Sequence, residues 1–159
     1  PTAQREPDPP ALPQPPAIDV PYNLDKRPMP EGDDTDRPLP RQVGRFQRGE
    51  PGGDIYDVMF VGYSDGLDEI SMSISICKSP EAARSGVNTA RHESADVTES
   101  VEASSIDTEP SFHKQRFNNP RMGAAGKGTG ITWNRGRYYF SADAKTSDLL
   151  DSFMAHFPY

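Results

Sequence analysis

The sequence predicts an α+β protein, in which an antiparallel sheet of about five strands and two helices follow an extended proline-rich arm. Three observations carry this prediction. Twelve of the 17 prolines lie between Pro1 and Pro40. Apolar and small polar residues alternate from Ile70 to Cys77, which is typical of a strand with one buried face. The C-terminal segment places five apolar residues on one stripe at helical spacing.

The arm covers residues 1–40, and a single α+β domain is predicted for residues 41–159. Because proline has no backbone donor, a segment such as Pro7–Pro16 cannot sustain a helix or a central strand. Polyproline II or disorder is expected instead, and at about 3.1 Å per residue the arm could reach roughly 120 Å. It carries too little apolar surface to order itself, so it needs another surface to lie on.

The first half of the domain is predicted to be strand-rich. Residues 41–48 form the first strand, which ends at the glycine-rich turn 49–53. The segment Ile55–Tyr63 is nearly all apolar, which favours a central strand covered on both faces. A turn at Ser64–Leu67 then leads into the alternating strand.

A helix is predicted to follow the alternating strand. Ser79 is its N-cap, Pro80 its first helical residue, and Glu81 an acid in its first turn. Its apolar positions are small, so the helix should lie close to the sheet; they are Ala82, Ala83, Val87 and Ala90.

An acidic loop is predicted for residues 93–109, which contain six acids, no base and many serines. Residues 112–117 form a further predicted strand. Composition alone predicts loops at residues 118–120 and 123–130.

The chain is predicted to close with a hairpin and a helix. Residues 131–134 and 137–142 form the hairpin around Arg135-Gly136. The helix begins near Thr146 or Ser147 and stops at Pro158, and its apolar stripe consists of Leu149, Leu150, Phe153, Met154 and Phe157.

The formal charge of −7 argues against a general polyanion-binding protein, but the charge is unevenly spread. Residues 110–142 carry six bases and no acid, interleaved with aromatic residues. Such a composition can bind single-stranded nucleic acid by phosphate contact and stacking. The same bases could instead pair with the acidic residues 93–109 or dock on an acidic surface of another protein.

No catalytic motif is found in the sequence. The glycine-rich segment 123–130 fails the spacing of a phosphate-binding P-loop, because Arg121 stands at the first glycine position and Gly128 follows Lys127. A helix end beside Cys77 could lower its thiol pKa, but the alternative is a small, half-buried side chain. The histidines lie in three separate elements; they are His92, His113 and His156.

No metal, cofactor or disulfide is predicted. The three isolated histidines lack the spacing of a metal site. The acidic residues 32–36 lack the central glycine and distal glutamate of a calcium loop. Cys77 is the only cysteine, so it has no partner in the chain.

No apolar run reaches the roughly 18 residues that a bilayer span requires, and no signal peptide is present. Because the chain begins at Pro1 and not at Met, we expect that an upstream signal peptide or membrane anchor has been removed. A proline-rich spacer after such an element would hold the domain away from a surface.

Several segments together resemble small exported modules of bacterial envelopes that lack an assigned activity. They are Leu39–Phe46, Ser79–Ala83, Trp133–Phe140 and Phe153–Tyr159. Separately, Tyr63–Leu67 followed by Ile70-Ser71 is similar to a hairpin in the C-terminal domain of the periplasmic sigma-E regulator, which binds an anti-sigma factor. Both resemblances imply an extracytoplasmic location and protein binding, and neither supplies a catalytic residue.

The hypothesis that follows is a non-enzymatic extracytoplasmic interaction protein, in the periplasm or at the cell surface. It would be an accessory subunit of a membrane-associated assembly, which it contacts through the arm and one face of the domain. The residues expected to make these contacts are Pro9, Pro10, Pro13, Pro15, Pro16, Lys114, Arg116, Arg121, Arg135 and Arg137.

Two alternatives stay open. One is a ligand-binding or enzymatic domain that uses the polar face of the alternating strand, formed by Ser71, Ser73, Ser75 and Cys77. The other is single-stranded nucleic-acid binding by residues 110–142, which the acidic overall charge disfavours.

Overall fold

The computed structural model of the chain describes residues 23–30, 39–52, 58–93, 100–106, 108–118 and 127–159. A 3-10 turn at Leu24–Lys26 comes first. It is followed by β1 (Gln42–Val43), β2 (Phe46–Arg48), β3 (Val58–Ser64), β4 (Glu69–Ile76), α1 (Pro80–Glu93), β5 (Ser100–Ser105), β6 (Phe112–Asn118), β7 (Lys127–Arg135), β8 (Tyr138–Ala144) and α2 (Ser147–Met154). None of the helices in these residues is long and apolar enough to cross a membrane.

All the strands belong to one antiparallel sheet, in the order β1-β2-β3-β4-β8-β7-β6-β5. The α+β class with two helices is therefore confirmed. The expected number of about five strands is wrong, because the described residues form eight. One added strand arises within residues 41–48, where Gly44 has a φ of 55° and turns β1 back onto β2. Glycine adopts this left-handed conformation without the usual steric cost.

The strand β5 corrects the prediction of a loop over residues 93–109. Residues Ser100–Ser105 pair with β6 in antiparallel register. The propensity of a segment to form a strand depends strongly on its neighbours, and β6 supplies the pairing edge that the serine-rich sequence does not reveal. Residues 94–99 and residue 107 lie outside the described residues.

The strand β7 also begins earlier than predicted. Residues 127–130 were expected in a loop, but they pair with β6 and β8; Gly130 is opposite both Gln115 and Asp143. Asn118, expected in a loop, ends β6. Residues 119–126 lie outside the described residues.

The two faces of the sheet are covered differently. We call the side that contacts α2 the core face and the opposite side, on which α1 lies, the outer face. The strand β3 was predicted to be covered on both faces, and this is wrong. Val61 and Tyr63 are buried on the core face, whereas Phe60 on the outer face is 54% exposed, because α1 lies over β6, β7 and β8 instead.

Both helices are confirmed with their predicted N-caps, but α2 ends at Met154, earlier than the predicted stop at Pro158. The Ser79 hydroxyl accepts a hydrogen bond from the Ala82 amide at 3.1 Å, and Pro80 is the first residue of α1. The Thr146 hydroxyl accepts a hydrogen bond from the Leu149 amide at 3.2 Å. The predicted apolar stripe of α2 is buried throughout: Leu149, Leu150, Phe153, Met154 and Phe157.

An aromatic cluster forms the centre of the core face. The Phe153 ring lies 5.1 Å from the ring of Tyr63 and 5.8 Å from that of Phe46. The Trp133 ring stacks on Phe140 at 5.0 Å between centroids. Phe153 thus joins α2 to β2 and β3, and Phe157, three residues after α2, lies 5.8 Å from Trp133 and 5.7 Å from Phe140 in the other half of the sheet.

Part of the predicted arm packs on the domain. Leu24 and Leu39 are 4% and 2% exposed, and both belong to the hydrophobic core. The Tyr63 hydroxyl donates to the Pro40 carbonyl at 2.8 Å, and the Arg27 guanidinium donates to the Phe157 carbonyl. Residues 23–30 and 39–40 are thus attached to the fold, whereas residues 1–22 and 31–38 lie outside the described residues.

Candidate interaction surface

Two of the predicted basic contact residues have internal roles. Lys114 is 7% exposed, and its Nζ donates to the Ser147 hydroxyl and to the Asp151 carboxylate, both at 2.8 Å. Arg135 is 6% exposed, and its guanidinium donates to the Arg27 carbonyl at 2.5 Å. These two charges therefore attach α2 and the arm to the sheet.

The other two predicted basic residues that the structure describes, Arg116 and Arg137, do not join them on one surface. Arg137 is exposed at the β7–β8 turn, and its Nε donates to the Cys77 carbonyl at 3.0 Å. Arg116 is exposed near the far end of β6. Arg121 and the five predicted prolines (Pro9, Pro10, Pro13, Pro15 and Pro16) lie outside the described residues.

The polar face of the alternating strand is where the sequence predicts it. Ser71, Ser73 and Ser75 lie on the outer face of β4, opposite Gly62, Phe60 and Val58 of β3. Ser71 is exposed, and Ser73 and Ser75 are half-buried. The exposed Phe60, the strand partner of Ser73, lies beside them.

Cys77 is half-buried, and burial raises the pKa of its thiol. A thiol of this kind is less nucleophilic than one activated by a helix end. His113 lies on β6, three strands from β4, which corresponds to roughly 14 Å at ordinary strand spacing. His156 lies against the β1–β2 turn, where a Cβ on Gly44 would approach its ring to 2.7 Å. Neither His113 nor His156 is therefore placed to activate the thiol; the side chain of His92, near the end of α1, lies outside the described part of the structure.

Asp143 gives the outer face a pH-dependent group. It is the strand partner of Ser71, and desolvation by the surrounding protein raises the pKa of Asp143 to about 6 although the residue keeps an exposed surface. The folded state therefore binds the proton of the Asp143 carboxyl more tightly than the unfolded state does. The stabilisation that results is fully present below about pH 4 and is lost as the pH rises through 6.

We expect Asp143→Asn to remove this dependence. The melting temperature of the variant should rise relative to that of the wild-type chain as the pH is increased from 4 to 7. Thermal melts at four pH values would test this, and parallel curves for the two proteins would contradict the assignment. Because part of Asp143 is exposed to solvent, the test depends on the direction of the change in melting temperature and not on its size.

No group of three or more metal-ligating side chains occurs among the described residues. The acidic residues 32–36 lie outside them, as do residues 123–126 of the glycine-rich segment. The remaining part of that segment, residues 127–130, is strand β7.

A cleft that the sequence did not predict lies where the attached arm meets the connection between β5 and β6. We call it the arm cleft. Its volume is about 290 Å³, and Asp25 and Glu109 bring two carboxylates to it. The other lining residues are Asn23, Leu24, Thr108, Pro110 and Phe112.

The wall of the arm cleft at Glu109 is held by a buried amide. The Asn134 side-chain carbonyl accepts from the Ser111 amide at 2.7 Å, and its amide group donates to both Glu109 carboxylate oxygens at 3.1 and 3.2 Å. The Gly136 amide donates to the same carboxylate at 3.1 Å. Burial lowers the pKa of Arg135, and the carboxylates of Glu109 and Asp25 oppose that shift, so both lie close to its charge.

A second cleft, which we call the helix cleft, has a volume of about 310 Å³ and lies between α1 and the end of β5. Ile106, directly after β5, forms one wall. The opposite wall is polar and comes from Glu81, Arg84, Ser85 and Asn88 of α1. Glu81 and Arg84 form a weak ion pair at 3.7 Å, so the charge of this cleft is balanced.

The two clefts were missed because their lining residues are distant in sequence, and the edge strand β5 was missed because its conformation depends on pairing with β6. The one available signal was the charge of residues 93–109, which contain Glu109.

No family model, curated protein or solved structure matches this chain.

Proposed function

We propose that this chain is a non-enzymatic extracytoplasmic interaction protein, which serves as an accessory subunit of a membrane-associated assembly. The observation that carries the proposal is the attachment of residues 23–30 and 39–40 to the domain. Leu24 and Leu39 are buried there, and Arg27 bonds to the carbonyl of Phe157 at the other end of the chain.

This attachment matters for binding because it fixes the point from which the proline-rich residues 1–22 continue. A binding segment and a binding face that are held in a fixed relation lose less conformational entropy when both contact one partner. A spacer that only separates two bodies gains nothing from buried leucines or from a hydrogen bond to the far end of the domain. The attachment of residues 23–30 and 39–40 therefore favours a shared role of the arm and the domain in binding one partner.

The chemistry of the polar groups supports binding over catalysis. Burial raises the pKa of the Cys77 thiol, and His113 and His156 lie on other parts of the fold. The outer-face serines of β4 lie beside the exposed Phe60 side chain. The extracytoplasmic part of the proposal is supported by the resemblance to exported envelope modules and by the proline-rich arm.

The experiment is quantitative capture from native membranes, with the full chain and with residues 1–22 deleted. We expect one partner to be enriched by the full chain and its recovery to fall by about tenfold without the arm, because one of two linked contacts is lost. Leu24→Ser weakens the attachment of residues 23–30 to the domain but keeps the arm, and it should give an intermediate recovery of the partner.

Leu67→Ser is the matched control. It makes the same substitution at a residue that is 90% exposed at the β3–β4 turn, and it should leave the recovery unchanged. If the full chain and the deletion recover the same proteins in the same amounts, the accessory-subunit proposal is wrong.

A further inference from the structure

Strand β5 is the edge of the sheet next to both clefts. It pairs with β6 on one side, and on its other side it pairs with no strand among the described residues. An edge strand presents unpaired backbone N–H and C=O groups, to which an extended chain can add as a further strand. Past the irregularity at Val101/Ala103, the pairing with β6 is regular up to Ser105, so the ordered half of the edge is the half that leads to the clefts.

The two clefts lie on opposite faces of the sheet at that same end of β5. Phe112 lines the arm cleft and is the partner of both Ser105 and the core residue Trp133, so this cleft adjoins the core face. The helix cleft adjoins the outer face, because α1 forms its wall. Successive side chains of an added strand point to opposite faces, so neighbouring residues of one extended segment would be directed to the two clefts.

The charge of β5 and the arm cleft indicates which kind of extended segment would bind there. Strand β5 contains the acid Glu102 and no base, within residues 93–109 of the sequence, which carry six acids and no base. In the arm cleft Asp25 joins Glu109, and the guanidinium of Arg135 lies close to both. Pairing of β5 with β5 of a second copy would bring two such acidic segments together, which is unfavourable.

We propose that β5 accepts an extended, basic segment of the partner protein as a ninth strand, with one lysine or arginine side chain in the arm cleft and a neighbouring uncharged side chain in the helix cleft. This inference rests on the proposed function and names the chemistry of the partner. A strand added at ordinary spacing lies about 4.8 Å from β5, and a long side chain reaches a diagonal neighbour at about 7–8 Å.

The first test uses a synthetic ten-residue peptide that alternates lysine with threonine and valine, and a second peptide in which glutamate replaces each lysine. Hydrogen exchange of the full chain should slow by at least about tenfold for those amides of Ser100–Ser105 that point away from β6 when the lysine peptide is saturating, because these amides gain partners. The glutamate peptide should leave them unchanged. Equal effects of the two peptides, or protection confined to β3 and β4, would overturn the proposal, as would failure of the lysine peptide to bind at millimolar concentration.

Charge reversal in the arm cleft gives the second test. Asp25→Lys should weaken binding of the lysine peptide by about tenfold, because the cleft then presents a like charge. Glu50→Lys makes the same change in charge at an exposed residue after β2, and it should weaken binding far less. Equal weakening by both variants would show a general charge effect and would overturn the site.

Two further results separate this inference from the proposed function. If Asp25→Lys captures the membrane partner as well as the wild-type chain does, the site at β5 is wrong and the proposed function stands. If sedimentation shows a dimer in which the β5 amides are already protected, β5 binds a second copy and the inference is wrong.

Discussion

Phe153→Ala should lower the free energy of unfolding by about 3–5 kcal/mol, which is the usual cost of removing a fully buried phenylalanine ring. Phe153 of α2 is 0% exposed. Its ring contacts Tyr63 of β3 at 5.1 Å, Phe46 of β2 at 5.8 Å and Phe157 at 5.6 Å. The loss therefore includes the transfer of the ring, the cavity left behind and three aromatic contacts. Urea denaturation followed by tryptophan fluorescence would measure it.

The same substitution at Phe60 is the matched control. Phe60 is 54% exposed on the outer face, so we expect Phe60→Ala to change the free energy of unfolding by less than about 1 kcal/mol. Both variants remove the same atoms, and their difference isolates burial. Similar costs at the two positions would contradict the placement of α2 on the core face.

The core around Phe153 could be predicted from the sequence because its signals are local. The stripe of α2 repeats at helical spacing, and the capping residue Thr146 directly precedes the helix. The alternation along β4 likewise needs no information from elsewhere in the chain. In each case the pattern of apolar residues within one segment predicts both its secondary structure and the face that is buried.

The edge strand β5 could not be predicted on that basis. Its sequence, Ser-Val-Glu-Ala-Ser-Ser, contains only two apolar residues, Val101 and Ala103, and lies among acids. It forms a strand because β6 offers a pairing edge, and a sequence does not state which edges will be open. The two clefts depend on β5 and on the position of Leu24, so they were hidden for the same reason.

The roles of the basic residues were hidden for a different reason. Lys114 and Arg135 read as surface charges, because such residues are rarely buried. In the fold Lys114 bonds to Asp151 and Arg135 bonds to the Arg27 carbonyl, both across more than thirty residues of sequence. Charge composition gives the sign of a segment, but it does not show which charges are used internally.

The attachment of residues 23–30 and 39–40 could not be predicted from the composition of the arm. Leu24 and Leu39 are isolated apolar residues in a proline-rich segment, and they lack a periodic pattern. Both are buried in the core cluster. A single apolar residue becomes informative only when the fold supplies the cavity that it fills.

Asn134→Asp should be the most damaging isosteric change at the candidate surface. Asn134 is 0% exposed, and its amide group donates to both Glu109 carboxylate oxygens and to the Gly136 carbonyl at 3.0 Å. A carboxylate in its place would direct an acceptor at three acceptors and put a second charge beside Glu109. We expect a loss of about 3–5 kcal/mol at neutral pH, in the range for an unpaired buried charge.

The pH dependence of the Asn134→Asp variant identifies the cause of this loss. Two carboxylates at hydrogen-bond distance share a proton in the folded state, so the pKa of the pair is raised above its unfolded value. The variant should therefore be most stable near pH 4 and lose stability as the pH rises towards 7. Urea denaturation at pH 4, 5.5 and 7 would measure this slope, which should be steeper than that of the wild-type chain, where Asp143 contributes a slope of the same sign.

Addition of Glu109→Gln to the Asn134→Asp variant provides the decisive comparison. The glutamine carbonyl can still accept from the Gly136 amide, and its amide group can donate to the new carboxylate, so the polarity of the pair is reversed while the shape is kept. We expect the double variant to recover more than half of the lost free energy and to lose the steep pH dependence. If it is no more stable than Asn134→Asp alone, repulsion from Glu109 is not the cause, and the cost comes from the unpaired Gly136 carbonyl.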